Sequence, residues 1–392
     1  MNAPDPVERW LDDVRALADD IGPRGPTTEG ERRGHQYCEE QLRGAGLQPV
    51  REEFVSARSI FLPHLIAACA MLAAFAVYPL AGRPSAVVAA SLSLFTVLNE
   101  VLELGYRPNL LRRVLPMAPS QNVHAVVDPV GERLRDVVVV GHVDTQRTPV
   151  VFRSPGWVRV YAVSSLVVFL AFAGQLALQV AGAVSQWPWV WPATFPSAVA
   201  ALGLAVLCIE ADRSPFTVGA NDNASAVGLV LELARRYQAA PLAHTRLWAL
   251  CSGCEEVQHY GMADFLRRHA PELRDPVVIP FELVGVAGPA YLTLEGIVVP
   301  FRADATLVEL CSRLATEHPE WDTYPVRITG GNTEMADAVR AGIPSIAIVG
   351  ITKDLVGPYW HQRQDTADNM NPEAMGRTFA MVTTLIDSLD PV

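Results

Sequence analysis

Residues 137–146 read VVVVGHVDTQ. Four consecutive Val and a Gly predict a buried strand. The strand stops at a His-x-Asp pair, His142 and Asp144, residue types that suit metal chemistry at a strand end. Soon afterwards the chain enters VYAVSSLVVFLAFAGQLALQVAGAV, from Val160 to Val184, a run long and apolar enough to cross a bilayer. The reading turns on how these two stretches belong to one protein.

The chain has 392 residues, 50% hydrophobic and 19% charged. That balance is more apolar than an ordinary soluble domain. Four windows account for the excess: Ser59 to Leu80, Ser85 to Leu104, Val158 to Val184 and Thr194 to Ile209. A helix needs roughly 20 residues to span the hydrocarbon core, which the first and third windows meet comfortably. The second ends with Asn99, Glu100 and Glu103, costly at mid-bilayer but tolerable at an interface or against a partner helix. WPWVWP, from Trp187 to Pro192, resembles an aromatic belt, and Arg58, Arg107, Arg112, Arg113, Arg153, Arg159 and Arg213 flank the ends that rejoin the polar chain, against Arg83 alone in a turn. These features predict two transmembrane hairpins at 58–106 and 157–210, with membrane lipid as a partner. The positive-inside rule then predicts a multi-pass protein of the inner membrane with its catalytic domain in the cytoplasm. The competing expectation is a pair of apolar arms buried in a homo-oligomer.

The first 20 residues are acidic and amphipathic, so no cleavable signal is expected. The six Cys follow no disulfide-framework spacing, which suits a reducing compartment. A formal net charge of −11 without a basic run argues against a nucleic-acid partner.

The remaining segments, 1–57, 107–156 and 211–392, alternate strands and helices. Val7, Trp10, Leu11, Val14 and Leu17 recur at helical spacing, and Thr28 with Glu31 predicts a capping box opening a second helix. NVHAVV and DVVVVG predict neighbouring strands joined by the turn around DPVGER. Further strands are expected at RLWALC, VVIPFE, PVRIT and SIAIVG, and helices near 224–237, 260–269, 306–316, 334–341 and after Pro372. This pattern predicts an α/β fold, a mixed sheet with helices on both faces and ligands beyond the strand ends.

Four stretches stand at those ends: GHVDT, GANDNASAVG, CSGCEEVQHYG and YWHQRQDTADNM. In CEEVQ, Glu255 and Glu256 point to different sides, so one can hold a metal while the other faces a water. Metal-assisted hydrolysis needs that division of labour. Each stretch alone is ambiguous: acidic pairs are usually solvated, His142 and His361 could be surface residues, and Asp222 could be an N-cap.

Their order resembles one family. Strand-HxD, GAxDNASxVG at a helix start, a strand ending in EE, an acidic residue after the next strand and a late His before DTxDN look like the co-catalytic zinc exopeptidases, metallopeptidase family twenty-eight of the MH clan. That family contains bacterial aminopeptidases, glutamate carboxypeptidase II and the glutaminyl cyclases. The opening IGPRGPTTEGERRGHQYCEEQLRGAGL also resembles its N-terminal helix and the GxR turn before it. The resemblance covers nearly everything outside the hairpins. It implies the zinc-dependent exopeptidase fold and two divalent metal ions of the zinc type, with His142 and Glu282 on one, Glu256 and His361 on the other, and Asp222 bridging. Glu255 would be the general base and acid, and Asp144 would orient His142. Two departures stand out: Glu282 where Asp is common, and NTE (332–334) where Ser-Asp or Thr-Asp is usual.

The function so implied is a membrane-bound aminopeptidase acting on short peptides, with the hairpins spliced into loops of the hydrolase. The alternatives are an amidohydrolase acting on an N-acyl or amphiphilic small molecule, a single-metal acyltransferase like the glutaminyl cyclases, and a non-catalytic membrane scaffold.

Overall fold

The computed structural model describes residues 5–391, which divide into two compact units. The first comprises 5–58, 117–147 and 216–391; the second comprises 59–116 and 148–215.

The first unit is built on a nine-stranded mixed sheet: β1 Val50–Ala57, β2 Met117–Val127, β3 Arg135–His142, β4 Thr245–Ser252, β5 Pro276–Glu282, β6 Ala290–Glu295, β7 Phe301–Arg302, β8 Tyr324–Arg327 and β9 Ile348–Val349. The strand order is β1-β2-β4-β3-β5-β9-β6-β7, with β8 beside β6. NVHAVV and DVVVVG were expected as neighbours, but β4 lies between them: Trp248 is opposite Val126 of β2 on one side and Val138 of β3 on the other. A turn in the sequence fixes that two strands follow one another, whereas pairing is settled by the apolar faces each strand must cover.

Both faces of β3 are buried, as its unbroken Val run requires. Val137 and Val139 pack with Val227, Val230 and Leu231 of the helix Ser225–Ala239. On the opposite face Val138 and Val140 meet Met262, Phe265 and Leu266 of the helix Tyr260–His269 and Ala338 of the helix Met335–Arg340. Gly141 ends the run for a steric reason. A Cβ there would lie 2.8 Å from the Ala226 backbone, so glycine lets the helix start come down on the strand end. Because β3, β4 and β5 run parallel, with His142 opposite Ser252, their carboxyl ends open on one edge of the sheet.

The second unit consists mainly of the helices Phe61–Val77, Arg83–Leu104, Pro155–Ser185 and Phe195–Arg213. They form one packed body rather than two separate hairpins. Met71, Phe172 and Ala201 share one apolar cluster, and Ala74, Ala86, Ala89 and Ala183 another. Polar groups cross between the helices: Gln175 Nε2 donates to the Met71 carbonyl at 3.0 Å, and Ser93 Oγ donates to Gln179 Oε1 at 2.7 Å. The three polar residues at the end of the second window are partnered within the unit. Glu100 pairs with His64 at 2.8 Å, Glu103 with Arg112 at 2.5 Å, and Asn99 Oδ1 accepts the Leu110 N–H.

The expectation of two transmembrane hairpins is corrected here. Among the described residues three helices, Arg83–Leu104, Gly156–Ser185 and Phe195–Arg213, are long and apolar enough to cross a membrane by length and composition. Phe61–Val77, at 17 residues, is not. It is about 26 Å long, short of a hydrocarbon core of roughly 30 Å. Two bilayer-crossing hairpins need four spanning helices.

Candidate metal centre

The strand-end edge of the first unit gathers the six metal-site candidates His142, Asp222, Glu255, Glu256, Glu282 and His361. His142 closes β3, the two adjacent glutamates follow β4, and Glu282 closes β5. Asp222 lies in the turn Ala220–Ala224 before the helix Ser225–Ala239. Gly219 supplies that turn with φ +58°, and a Cβ there would strike the Asp222 carbonyl at 2.3 Å. His361 comes from the loop after β9.

Two groups of donors share Asp222. His142, Asp222 and Glu282 form one; Asp222, Glu256 and His361 form the other; within each, one ligand atom per residue lies within 4.8 Å of the rest. His142 Nε2 is 3.5 Å from Asp222 Oδ1 and 3.4 Å from Glu282 Oε2. His361 Nε2 is 3.3 Å from both Asp222 Oδ2 and Glu256 Oε2. Donors tetrahedrally placed at zinc bond lengths are about 3.4 Å apart, the spacing that these four histidine–carboxylate distances have. Asp222 Oδ2 and Glu256 Oε1 are buried without a hydrogen-bond partner, the condition of a carboxylate oxygen that awaits a cation.

The electrostatics agree. Burial, then the charges of Glu256 and Glu282, push the Asp222 carboxyl well above its ordinary pKa, and burial likewise raises Glu282. Burial opposes a charge on His142, but Glu255 and Glu282 outweigh it and hold the imidazole well above its usual value. This is a buried excess of negative charge that divalent cations neutralise.

The surrounding residues show what holds the donors. His142 Nδ1 meets the Asp144 backbone carbonyl at 3.0 Å, while the Asp144 carboxylate accepts the N–H groups of Glu255 and Glu256, both at 3.0 Å. Asp144 thus ties the β3 end to the turn after β4, and it meets the imidazole twice, by its carbonyl at hydrogen-bond distance and by its carboxylate Oδ1 at 3.7 Å from Nδ1. Gln146 Nε2 donates to Glu256 Oε2 at 2.9 Å, and Asn223 Nδ2 to Glu282 Oε2 at 3.0 Å. Asp365 accepts the N–H groups of Asn221 and Asp222. Glu31 does not complete the expected capping box by bonding the Thr28 N–H. Its carboxylate accepts from the Thr27 N–H, from Ser120 Oγ and from the Cys254 N–H beside the glutamate pair. Arg24, fully buried, donates to the carbonyls of Leu17, Gly22, Val143, Val218 and Gly219, and so laces the N-terminal segment to the loops carrying His142 and Asp222.

Glu255 has a partner that sequence reasoning missed. His259 Nε2 is 3.0 Å from Glu255 Oε1 and its Nδ1 is 2.6 Å from Asp337 Oδ2, all three being buried. Burial works against a charge on Glu255, yet His142, His259 and His361 hold it below the ordinary glutamate range. Glu334, from the atypical NTE, lies within reach of Glu255 and Glu282; Ser252 Oγ donates to its Oε1, and its Oε2 is buried without a partner.

A family model described as Peptidase family M28 matches residues 206–386. With that match and the two donor groups, the activity class is decided. The chain is a metal-dependent hydrolase. Its His, Asp and Glu clusters suit one or two divalent metal ions, zinc being the metal of this family's co-catalytic peptidases.

Among curated proteins, the hydrolase is similar to aminopeptidase YwaD of Bacillus subtilis strain 168, 26% identical over 185 residues. That match takes in 45% of this chain and 38% of the relative's length. The zinc aminopeptidase BSAP from Bacillus subtilis superposes with a TM-score of 0.57 at 15% identity, over 99% of this chain and 96% of that one. The glutaminyl cyclase of Tannerella forsythia gives 0.58 at 16% identity, over 97% and 98%. These likenesses establish the α/β zinc-exopeptidase-like fold. They also overturn the membrane part of the expectation: these and similar structures, aligning over nearly the whole chain, are described as enzymes of the aminopeptidase, exopeptidase and glutaminyl cyclase kinds. The multi-pass inner-membrane location, the cytoplasmic catalytic domain, the lipid partner and the membrane-bound qualifier on the activity are accordingly withdrawn.

Proposed function

We propose that the protein is an exopeptidase, in the first place an aminopeptidase on short peptides, in which Glu255 is the general base and acid. The observation that carries this reading is the placing of Glu255. It stands 3.7 Å from His142 Nε2, beside two donor groups that are complete without it, and is held from behind by His259.

His142, Asp222 and Glu282 would hold one ion, and Asp222, Glu256 and His361 the other. When bound, the ions supply Lewis acidity to the scissile carbonyl and to water. Glu255 accepts the proton of the attacking water and returns it to the leaving amine nitrogen, ending the cycle ionised. His259, fixed by Asp337, keeps the carboxylate turned toward the water through both transfers. Glu334 is a further carboxylate beside Glu255 and Glu282; it is fully buried, burial raises its pKa to about 7, and a substrate α-ammonium next to it would hold it ionised. That pairing would favour a free amino terminus over an N-acylated substrate.

The test is a comparison of aminoacyl anilides with their N-acetyl counterparts on zinc-loaded protein, alongside Glu255→Gln and Glu256→Gln. Glu255→Gln is expected to lose about 100-fold or more in turnover while retaining metal, because it removes proton transfer and no ligand. Glu256→Gln is expected to lose metal. Equal cleavage of the acetylated substrates would sink the aminopeptidase assignment, and full activity in Glu255→Gln would sink its role.

A further inference from the structure

The first unit carries a second cluster of ligand-type side chains. Glu52 on the edge strand β1, His124 on β2 and His269, the last residue of the helix Tyr260–His269, bring one donor atom each within 4.8 Å of one another. The sheet register explains the first two: Val50 pairs with His124 and Glu52 with Asn122, so Glu52 and His124 are diagonal neighbours on one face. The helix covers that face and delivers His269 from above.

We propose that Glu52, His124 and His269 form a separate divalent-cation site of the zinc class. His269 has the arrangement of a metal-binding imidazole. Its Nδ1 is 2.5 Å from Glu272 Oε1, and a carboxylate at one ring nitrogen fixes the other, Nε2, as the ligand atom, here 2.9 Å from Glu52 Oε2. His124, whose side chain is only 4% exposed, points Nδ1 at the same Glu52 oxygen from 3.8 Å, and that nitrogen has no hydrogen-bond partner. An ion pair of His269 with its two glutamates accounts for the first geometry and leaves the second unexplained. A cation among the three donors satisfies both.

The rings are held in place. His124 and His269 meet edge to face at 4.9 Å between centroids, and both pack on Trp248 and Phe265. Trp248 is itself anchored by its Nε1–H to Asp136 Oδ1 at 2.9 Å. Arg268 lies 3.8 Å from the other Glu52 oxygen, leaving Oε2 to the histidines. Two imidazoles and a carboxylate make a three-ligand set with a fourth position for water, a set that suits zinc, cobalt or nickel over calcium or magnesium.

The experiment is titration of metal-stripped protein with Co2+, followed by visible absorption, and with Zn2+ in competition with a chelating dye. Wild type is expected to bind one equivalent more than His269→Gln, and Glu52→Gln to lose the same equivalent, with at least about 10-fold weaker binding if any remains. His361→Gln, which alters only the other centre, retains that equivalent whether or not the catalytic reading holds. Both variants are at the partly exposed rim, and unchanged thermal unfolding of the metal-free forms confirms that they fold. If wild type, His269→Gln and Glu52→Gln show the same stoichiometry and the same cobalt spectrum, the cluster is an ion pair and no site.

Discussion

His259 lies between two carboxylates, 3.0 Å from Glu255 Oε1 and 2.6 Å from Asp337 Oδ2. An imidazole in that position holds the carboxylate proposed as the base and is not itself in either donor group that shares Asp222. Replacing it by Asn is therefore expected to lower kcat by about 10- to 100-fold, part of the contribution of a well-placed base, while KM and bound metal stay near wild type. Asp337→Asn weakens the same support from one step further away and is expected to cost less. Metal analysis together with steady-state kinetics checks this; lost metal in His259→Asn would make the residue a scaffold for the ligands instead.

Much of the centre was legible because its chemistry is local to short stretches. His142, Asp222, Glu255, Glu256 and Glu282 each adjoin a recognisable strand or helix, and parallel strands necessarily end on one edge, whereas His361 lies in a long loop after β9 and was legible only from the motif around it. The supporting residues were not legible. Gln146 sits inside the opening stretch and Asn223 beside Asp222, yet nothing in a sequence says that a particular amide faces Glu256 or Glu282. His259 is three residues after Glu256, and its distinguishing partner, Asp337, comes from a helix far along the chain.

The apolar windows misled for a different reason. Composition measures how little a helix needs water, not how far it reaches: Phe61–Val77 is strongly apolar and still stops short of a bilayer crossing. In Phe61–Val77 the buried side is Pro63, Ala67, Ala68, Met71 and Ala74, three of them alanines that let neighbouring helices approach closely. The pairing of β2 with β4 was hidden likewise, since alternation marks a strand without naming its partner.

Asp144 connects the two halves of the centre through both of its carboxylate oxygens. Asn in its place keeps one acceptor and turns an NH2 toward the second N–H, which costs about 1 to 3 kcal/mol for the unsatisfied group. Asp144→Asn is expected to weaken zinc binding by roughly 10- to 100-fold through displacement of the glutamate pair. Competition titration of the metal, with thermal unfolding of the metal-free protein alongside, measures both effects; unchanged affinity would show that the turn holds without it.

Arg24 binds five backbone carbonyls and has no exposure to water. Met fills the space of its stem and leaves those acceptors facing a hydrocarbon, a loss of about 3 to 5 kcal/mol. Arg24→Met is expected to lower the melting temperature by roughly 10 °C. Metal affinity should fall with it, because the carbonyls of Val143 and Gly219 lie beside His142 and Asp222. A melting temperature within a degree or two of wild type would mean that water replaces the guanidinium.

Glu295 gives stability a pH dependence whose sign is opposite to that of a salt-bridged acid. Its carboxyl is buried; burial raises its pKa from 4.5 to about 8, against the hydrogen bonds it accepts from the Thr333 N–H and Oγ1. Its other oxygen, Oε1, has no partner. The native state therefore holds a proton that the unfolded chain releases above its ordinary pKa. Stability from this group is present in full below pH 4.5 and is lost as pH rises toward about 8. Glu295→Gln keeps one carbonyl oxygen for Thr333 and removes the titration. Urea unfolding of metal-free wild type and variant between pH 5 and 8 is expected to show wild type losing stability with rising pH more steeply, with the variant ahead at pH 8. Metal release and other titrating groups contribute equally to both curves, so their difference isolates Glu295. Parallel curves across that range would mean that Glu295 is ionised in the folded protein.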